Sequence, residues 1–187
     1  MGFYAFYGAG NAGTVRLKSV VLPDTLKEID DFAFGETNFS SVVIPDNVVS
    51  IGRASFYSND NLETVELSEG LKYIGDFAFN QCAIREIDLP NSLTEIGQGA
   101  FDGNNLTTVT IPTGIEVLKC DIFVFNALET IEIPSNIRYI GVGAFSYNNL
   151  TSIKIPSSIS EFYFEGYWQG SFFWYNVVIV PELFNGF

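Results

Sequence analysis

Apolar and polar positions along this chain follow a pattern that returns at a nearly fixed interval. An apolar-x-apolar tripeptide closed by proline recurs at Pro23, Pro45, Pro90, Pro112, Pro134 and Pro156, with Ser68 once in the proline's place, at spacings of 22, 23, 22, 22, 22 and 22 residues. Pro181 follows after 25, in a degenerate last turn. Aligned, the segments give L-x-x-V-x-I-P-x-x-L-x-x-I-G-x-x-A-F and then a short asparagine-rich turn, with copies beginning at Leu17, Phe39, Leu62, Ile84, Leu106, Leu128 and Leu150. A period of this length predicts a solenoid, because one coil cannot bury its own apolar face and neighbours must stack to do so.

Each L-x-x-V-x-I piece is short, β-branched and alternating, which predicts a strand ended by proline, a residue that cannot donate to a further ladder bond. The second half returns the chain; its apolar spacing of three and four fits a helical or 3₁₀ turn, while the glycine after the Ile column argues against a long regular helix. Three columns are predicted to be core. Leu26, Val48, Leu71, Leu93, Ile115, Ile137 and Ile159 stand three residues after the proline; Ile29, Ile51, Ile74, Ile96, Leu118, Ile140 and Phe162 stand six after it. Phe34, Phe56, Phe79, Phe101, Phe123 and Phe145, with Tyr167 in the last coil, form an aromatic spine eleven after it. The predicted fold is therefore a repeat solenoid with a parallel β-sheet on one face and short helical, 3₁₀ or irregular turns on the other. Eight strand positions would give a sheet roughly 35 Å wide at about 4.8 Å per strand.

The register Leu89-Pro90-Asn91-Ser92-Leu93-Thr94-Glu95-Ile96-Gly97-Gln98-Gly99-Ala100-Phe101 resembles the BspA-like leucine-rich-repeat family, over about Leu17 to Phe162. The resemblance implies a curved leucine-rich-repeat solenoid of a kind frequent in bacterial or protozoan surface proteins that bind host or neighbouring-cell proteins. It therefore implies a cell-surface or secreted location and an adhesin-like, ligand-presenting role. The asparagine ladder of many other leucine-rich repeats is not expected of this pattern. The fifth repeat departs from it, with Lys119, Cys120 and Asp121 in place of the glycine-led turn.

Composition narrows the function further. With 22 acidic against 9 basic residues the net charge is -13, which repels phosphate backbones and anionic membranes and argues against nucleic acid as a partner. The longest apolar stretches fall short of the roughly 20 residues a membrane helix needs, so no membrane insertion is expected. Met1 to Phe6 lacks the basic start and long apolar core of a signal peptide, so if the protein is exported its targeting segment is expected outside this chain. The absence of histidine removes the Ser-His-Asp and Cys-His arrangements and His-ligated metals, and Cys82 and Cys120 are too few for a disulfide framework or a zinc site. The Gly8–Gly13 run lacks the lysine of a P-loop. A glycosidase needs only two carboxylates, but no pair stands out from the repetitive acidic background. The expectation is a binding module and not an enzyme, with no cofactor and no metal; a structural spacer within a larger surface protein remains the other non-enzymatic reading.

Within each strand the third and fifth positions point away from the core and the second is mostly polar. The third column, Ser19, Ser41, Thr64, Glu86, Thr108, Thr130 and Ser152, could meet a glycan, although Ser and Thr also simply suit an exposed strand. Glu66, Asp88 and Glu132 of the fifth column join Glu63, Glu86 and Glu129 in an acidic group, with Arg85 beside it as a partial counter-charge. Like charges on adjacent strands are mildly destabilising; solvation with salt screening is the first account of them, and the sharper reading is a basic patch on a protein partner, with a weakly held Ca²⁺ behind it. Trp168, Phe173 and Trp174 are a further candidate surface, aromatic residues being used by interfaces and degenerate cores alike.

The expected organisation is a partial N-terminal repeat or cap over 1–16, the array of 22–23-residue coils over 17–162, and a degenerate, aromatic-rich C-terminal repeat over 163–187. Phe184 and Phe187 fall in register three and six residues after Pro181, and Gly2 begins at the next phase. Two readings stay open: the ends belong to an array cut from a longer one, or they are aromatic caps. The first admits a weak head-to-tail self-association.

Overall fold

The computed structural model describes residues 2–9 and 17–159, and the backbone of 178–181. Among the described residues ten short strands run in chain order: β1 (Glu28–Ile29), β2 (Ser41–Val43), β3 (Ser50–Ile51), β4 (Thr64–Glu66), β5 (Tyr73–Ile74), β6 (Glu95–Ile96), β7 (Val117–Leu118), β8 (Tyr139–Ile140), β9 (Ser152–Ile155) and β10 (Val178–Pro181). All pair in parallel with the equivalent strand of a neighbouring coil, as stacking requires. β2 pairs with β4, Val42 opposite Val65, and β9 with β10 on the face predicted to carry the sheet. Between them only Glu132 and Lys154 form a bridge. That interruption begins where Glu66 and Asp88 fall on adjacent coils, a like-charge apposition that works against a close ladder.

The second half of each coil returns through turns, with no helical segment among the described residues. It carries a ladder of its own, β1-β3-β5-β6, and β7-β8 farther along. The turn after the proline is local: its carbonyl accepts from the N–H three residues on, as in Val48 to Pro45 at 2.9 Å and Leu93 to Pro90 at 3.1 Å. Then the coils press together. A Cβ on Gly75 would stand 2.6 Å from the Arg53 nitrogen, and one on Gly97 2.3 Å from that of Asp76, so the glycine column exists because the preceding coil's backbone occupies the space. Nine and thirteen residues after the proline the backbone is left-handed, at Phe32, Ala54, Phe77, Gly99 and Asp121 and again at Glu36, Ser58, Gln81, Gly103, Phe125 and Tyr147. These two corners break any helix and turn the chain back toward its next strand. Coil-to-coil bonds hold them, among them Phe34 N–H to the Ser55 carbonyl at 2.7 Å and Phe56 N–H to that of Ala78 at 2.8 Å.

The core follows the predicted columns. Ile51, Ile74, Val48, Leu71 and Leu93 are fully buried, as are Phe34, Phe56, Phe79, Phe101 and Phe123, whose rings stack in sequence with centroids 5.4, 5.2, 5.6 and 5.7 Å apart. Phe6 continues the stack onto Phe34 at 5.4 Å, so residues 2–9 sit as a part-coil on the array. Phe145 continues it at the other end, 5.9 Å from Phe123. Phe162, Tyr167, Phe184 and Phe187 lie outside the described residues.

One expectation is overturned. An asparagine ladder is present, in the turn before each strand and fourteen residues after the proline. The Asn104 side chain donates from Nδ2 to the carbonyls of Phe101 at 3.1 Å and of Phe79, one coil back, at 2.8 Å, while its Oδ1 accepts from Ile84 N–H at 3.1 Å. Asn126 and Asn148 repeat this, bonding both flanking Phe carbonyls and the N–H of Leu106 and Leu128 respectively. Asn59 spans Phe34 and Phe56 in the same way. Thr37 and Cys82 occupy the position in the remaining coils, Thr37 bonding the Phe34 carbonyl and Asn59, Cys82 the Phe56 carbonyl through Sγ at 3.2 Å. The aromatic spine packs the coil interior while this column satisfies the carbonyls its residues would otherwise bury unpaired.

Candidate interaction surface

The alternation within β2 and β4 decides which side chains reach solvent. In β4, Val65 is buried while Thr64 and Glu66 are exposed; in β2, Val42 is buried between exposed Ser41 and Val43. The same alternation holds in the intervening coils without a ladder: Ile87 is buried between Glu86 and Asp88, and Val109 between Thr108 and Thr110. The second, third and fifth positions of successive coils thus build one continuous exposed face.

On that face the acidic residues fall into two groups. Glu63, Glu66, Glu86 and Asp88 occupy two adjacent coils; Glu129 and Glu132 lie two coils farther, beyond Thr107, Thr108 and Thr110, and all six carboxylates are exposed. Arg85 reaches Glu63 at 3.8 Å, the counter-charge expected of it, leaving Glu66, Glu86 and Asp88 the closest-set carboxylates of the face. Its flanks differ. On the N-terminal side Val21 and Val43 are 95% and 58% exposed, valines where a solvated strand would carry polar side chains; on the other, Lys154 bridges to Glu132 through the backbone. Among the described residues no group of three or more His, Cys, Asp or Glu is gathered to hold a metal ion, and no helix is long and apolar enough to cross a membrane. Trp168, Phe173 and Trp174 lie outside the described residues.

The opposite ladder is differently built. Lys119, which replaces the glycine of the fifth repeat, reaches back to Glu95 with Nζ–Oε1 at 2.5 Å, and Arg138 meets Glu116 at 3.7 Å. Hydrogen bonding to Glu95 holds the Lys119 ammonium above its ordinary range. Lys119 and Arg138 are thus engaged with acids of neighbouring coils, while on the strand face Arg85 meets Glu63. Sequence reasoning missed one exposed feature, the pair Phe125 and Tyr147 on the second left-handed corner, stacked 4.3 Å apart. The signal was a column thirteen residues after the proline that turns from polar to aromatic.

The model of the BspA type leucine rich repeat region matches residues 1–87 and 49–170, in six copies. The chain belongs to this family. A leucine-rich repeat protein from Bacteroides ovatus, solved by crystallography, superimposes with a TM-score of 0.61 at 28% identity over 85% of this chain and 47% of its own. Another, from Eubacterium ventriosum, gives 0.59 at 26% identity over 64% of this chain and 32% of its own. This BspA-type chain therefore spans about half, and about a third, of the structures it matches. No match is found among the curated proteins.

Proposed function

We propose that this BspA-type array is a protein-interaction module of a cell-surface or secreted protein, and that it presents its strand face to a partner with a basic centre. The observation that carries the reading is the exposed set Glu66, Glu86 and Asp88 on adjacent coils, beside the exposed Val21 and Val43. Like charges held close cost stability in the free protein, and a cationic partner surface relieves that cost while apolar contact at the valines adds area. Stacking makes such a face long and of fixed spacing, which is what repeat solenoids use to bind. The adhesin-like role and the surface location rest on family membership.

A photo-crosslinking amino acid placed at Thr108, on the strand face, or at Val117, on the opposite ladder, tests where a partner sits. Exposed to surface-protein extracts, the Thr108 variant is expected to form discrete protein adducts that high salt suppresses, and the Val117 variant few. Equal adducts from both positions, or adducts from Val117 alone, would refute the assignment of the face.

A further inference from the structure

Beyond the strand face lies the corner thirteen residues after the proline position. Along the array this corner is occupied by Glu36, Ser58, Gln81, Gly103, Phe125 and Tyr147, all left-handed. Register is fixed by coil-to-coil bonds: Gln81 N–H to the Asp102 carbonyl at 2.8 Å, Gly103 N–H to that of Val124 at 3.0 Å, and Phe125 N–H to that of Ser146 at 3.1 Å. The four residues from Gln81 to Tyr147 therefore stand one above another. Two large aromatic side chains in a backbone region that L residues seldom adopt, 54% and 59% exposed, are costly on both counts and find no reason in the core.

Their rings stack face to face at 4.3 Å and 12°, which covers one face of each. The outer face of Phe125 looks along the column toward Gly103, which has no side chain. A Cβ there would lie 3.5 Å from Cγ of Gln81, so the next side chain in the column begins just beyond the glycine. The result is a missing rung: a slot floored by Gly103, walled by the Phe125 ring on one side and Gln81 on the other. Gln81 leans against the glycine, so the open space lies chiefly on the Phe125 side of Gly103, one coil's rise of about 4.8 Å away. A guest in the missing rung takes the place a side chain would fill and lies against the open face of Phe125, where the C–H face of a saturated ring makes dispersion contact. Beside the slot the exposed groups are the amides Gln81 and Asn105, with the small Ala83 and Ala127 in the flanking coils. A primary amide offers two donors and an acceptor with no charge, matching paired hydroxyls on a neutral ligand. An aromatic face with a few polar groups converging beside it is the make-up of a small-ligand site.

We infer that the slot between Gln81 and Phe125 over Gly103 binds a pyranose unit of a neutral glycan, the sugar's C–H face on the Phe125 ring and its hydroxyls on Gln81 and Asn105. Tyr147 backs Phe125 and holds it upright. The test is native electrophoresis of the chain through gels each containing one neutral polysaccharide: mixed-linkage β-glucan, xyloglucan, galactomannan, arabinoxylan or starch. Titration calorimetry with the matching hexasaccharide follows. Retardation in at least one gel is expected. Phe125→Ala should weaken hexasaccharide binding about tenfold or more. Gly103→Asn, whose side chain tolerates the left-handed corner and fills the slot, should abolish it. Val117→Thr, on the opposite ladder, should leave it unchanged; melting curves of Phe125→Ala and Val117→Thr should stay near the parent's because those side chains are exposed, and Gly103→Asn, at a half-buried left-handed corner, should still melt cooperatively. Unretarded migration in all five gels overturns the inference, as does retardation that survives both Phe125→Ala and Gly103→Asn. If the two variants instead cut binding of a protein while no polysaccharide binds, the platform is a protein interface and the glycan assignment falls.

Discussion

Single side chains decide whether the turn before each strand closes. Asn104 does the work of a whole turn, bonding two Phe carbonyls and one N–H in three directions from a buried position. Asn104→Ala leaves the Phe79 carbonyl and the Ile84 N–H without that partner, while Asn126 still serves the Phe101 carbonyl, and should cost about 1–3 kcal/mol per unsatisfied group, read from chemical denaturation. Loss of less than half a kcal/mol would mean that the rung is ornamental. Cys82 holds the same position with a weaker bond. Burial pushes its thiol up to about 12, so at pH 8 it is protonated and enclosed. A thiol reagent at pH 8 should titrate the half-buried Cys120 in the folded protein and reach Cys82 only in denaturant. Two equally fast thiols would contradict the buried rung.

One coil gains its stability from its neighbours, through the stacked rings inside and the close backbones outside. Phe101, fully buried between Phe79 and Phe123, is the middle of that stack. Phe101→Ala should destabilise the array by about 3–5 kcal/mol, checked by a denaturant melt. A midpoint within experimental error of the parent would show that the stack does not bind the coils together. The spine was legible because a single aromatic returning at a fixed interval admits few geometries. The same holds for the strand face, whose alternation predicts Glu66 out and Val65 in. Less legible was the return half. Its corners are left-handed, yet the chain places Phe32, Ala54 and Phe77 there, residues that do not advertise such a backbone. Inter-coil bonds at their neighbours override local preference, and no local pattern signals that. The asparagine ladder was visible as an asparagine-rich turn; its role was hidden because the carbonyls it serves belong to residues three and twenty-five positions back.

Across the array, charge and apolar surface are unevenly placed. Phe3 and Phe6 are 61% and 41% exposed at the first part-coil, while the chain as a whole carries -13. Apolar attraction and charge repulsion therefore oppose one another, and self-association is predicted to be weak at low salt and to strengthen as salt screens the repulsion. Sedimentation velocity over a hundredfold range of concentration at both ionic strengths measures it; one monomeric species throughout would refute the head-to-tail contact.

The strand face carries the proposed function, and its carboxylates can be reversed without touching the core. Glu66, Asp88 and Glu132 are exposed, so Glu66→Lys, Asp88→Lys and Glu132→Lys together should shift stability little. The most direct measurement is the affinity of this triple variant and the parent for the protein captured by the Thr108 crosslink, each titrated from low to high salt. The parent should bind more weakly as salt rises, and the variant should bind roughly tenfold or more weakly at low salt with little salt dependence left. Equal affinity and an equal salt slope for the two proteins would contradict an acidic strand face as the binding surface.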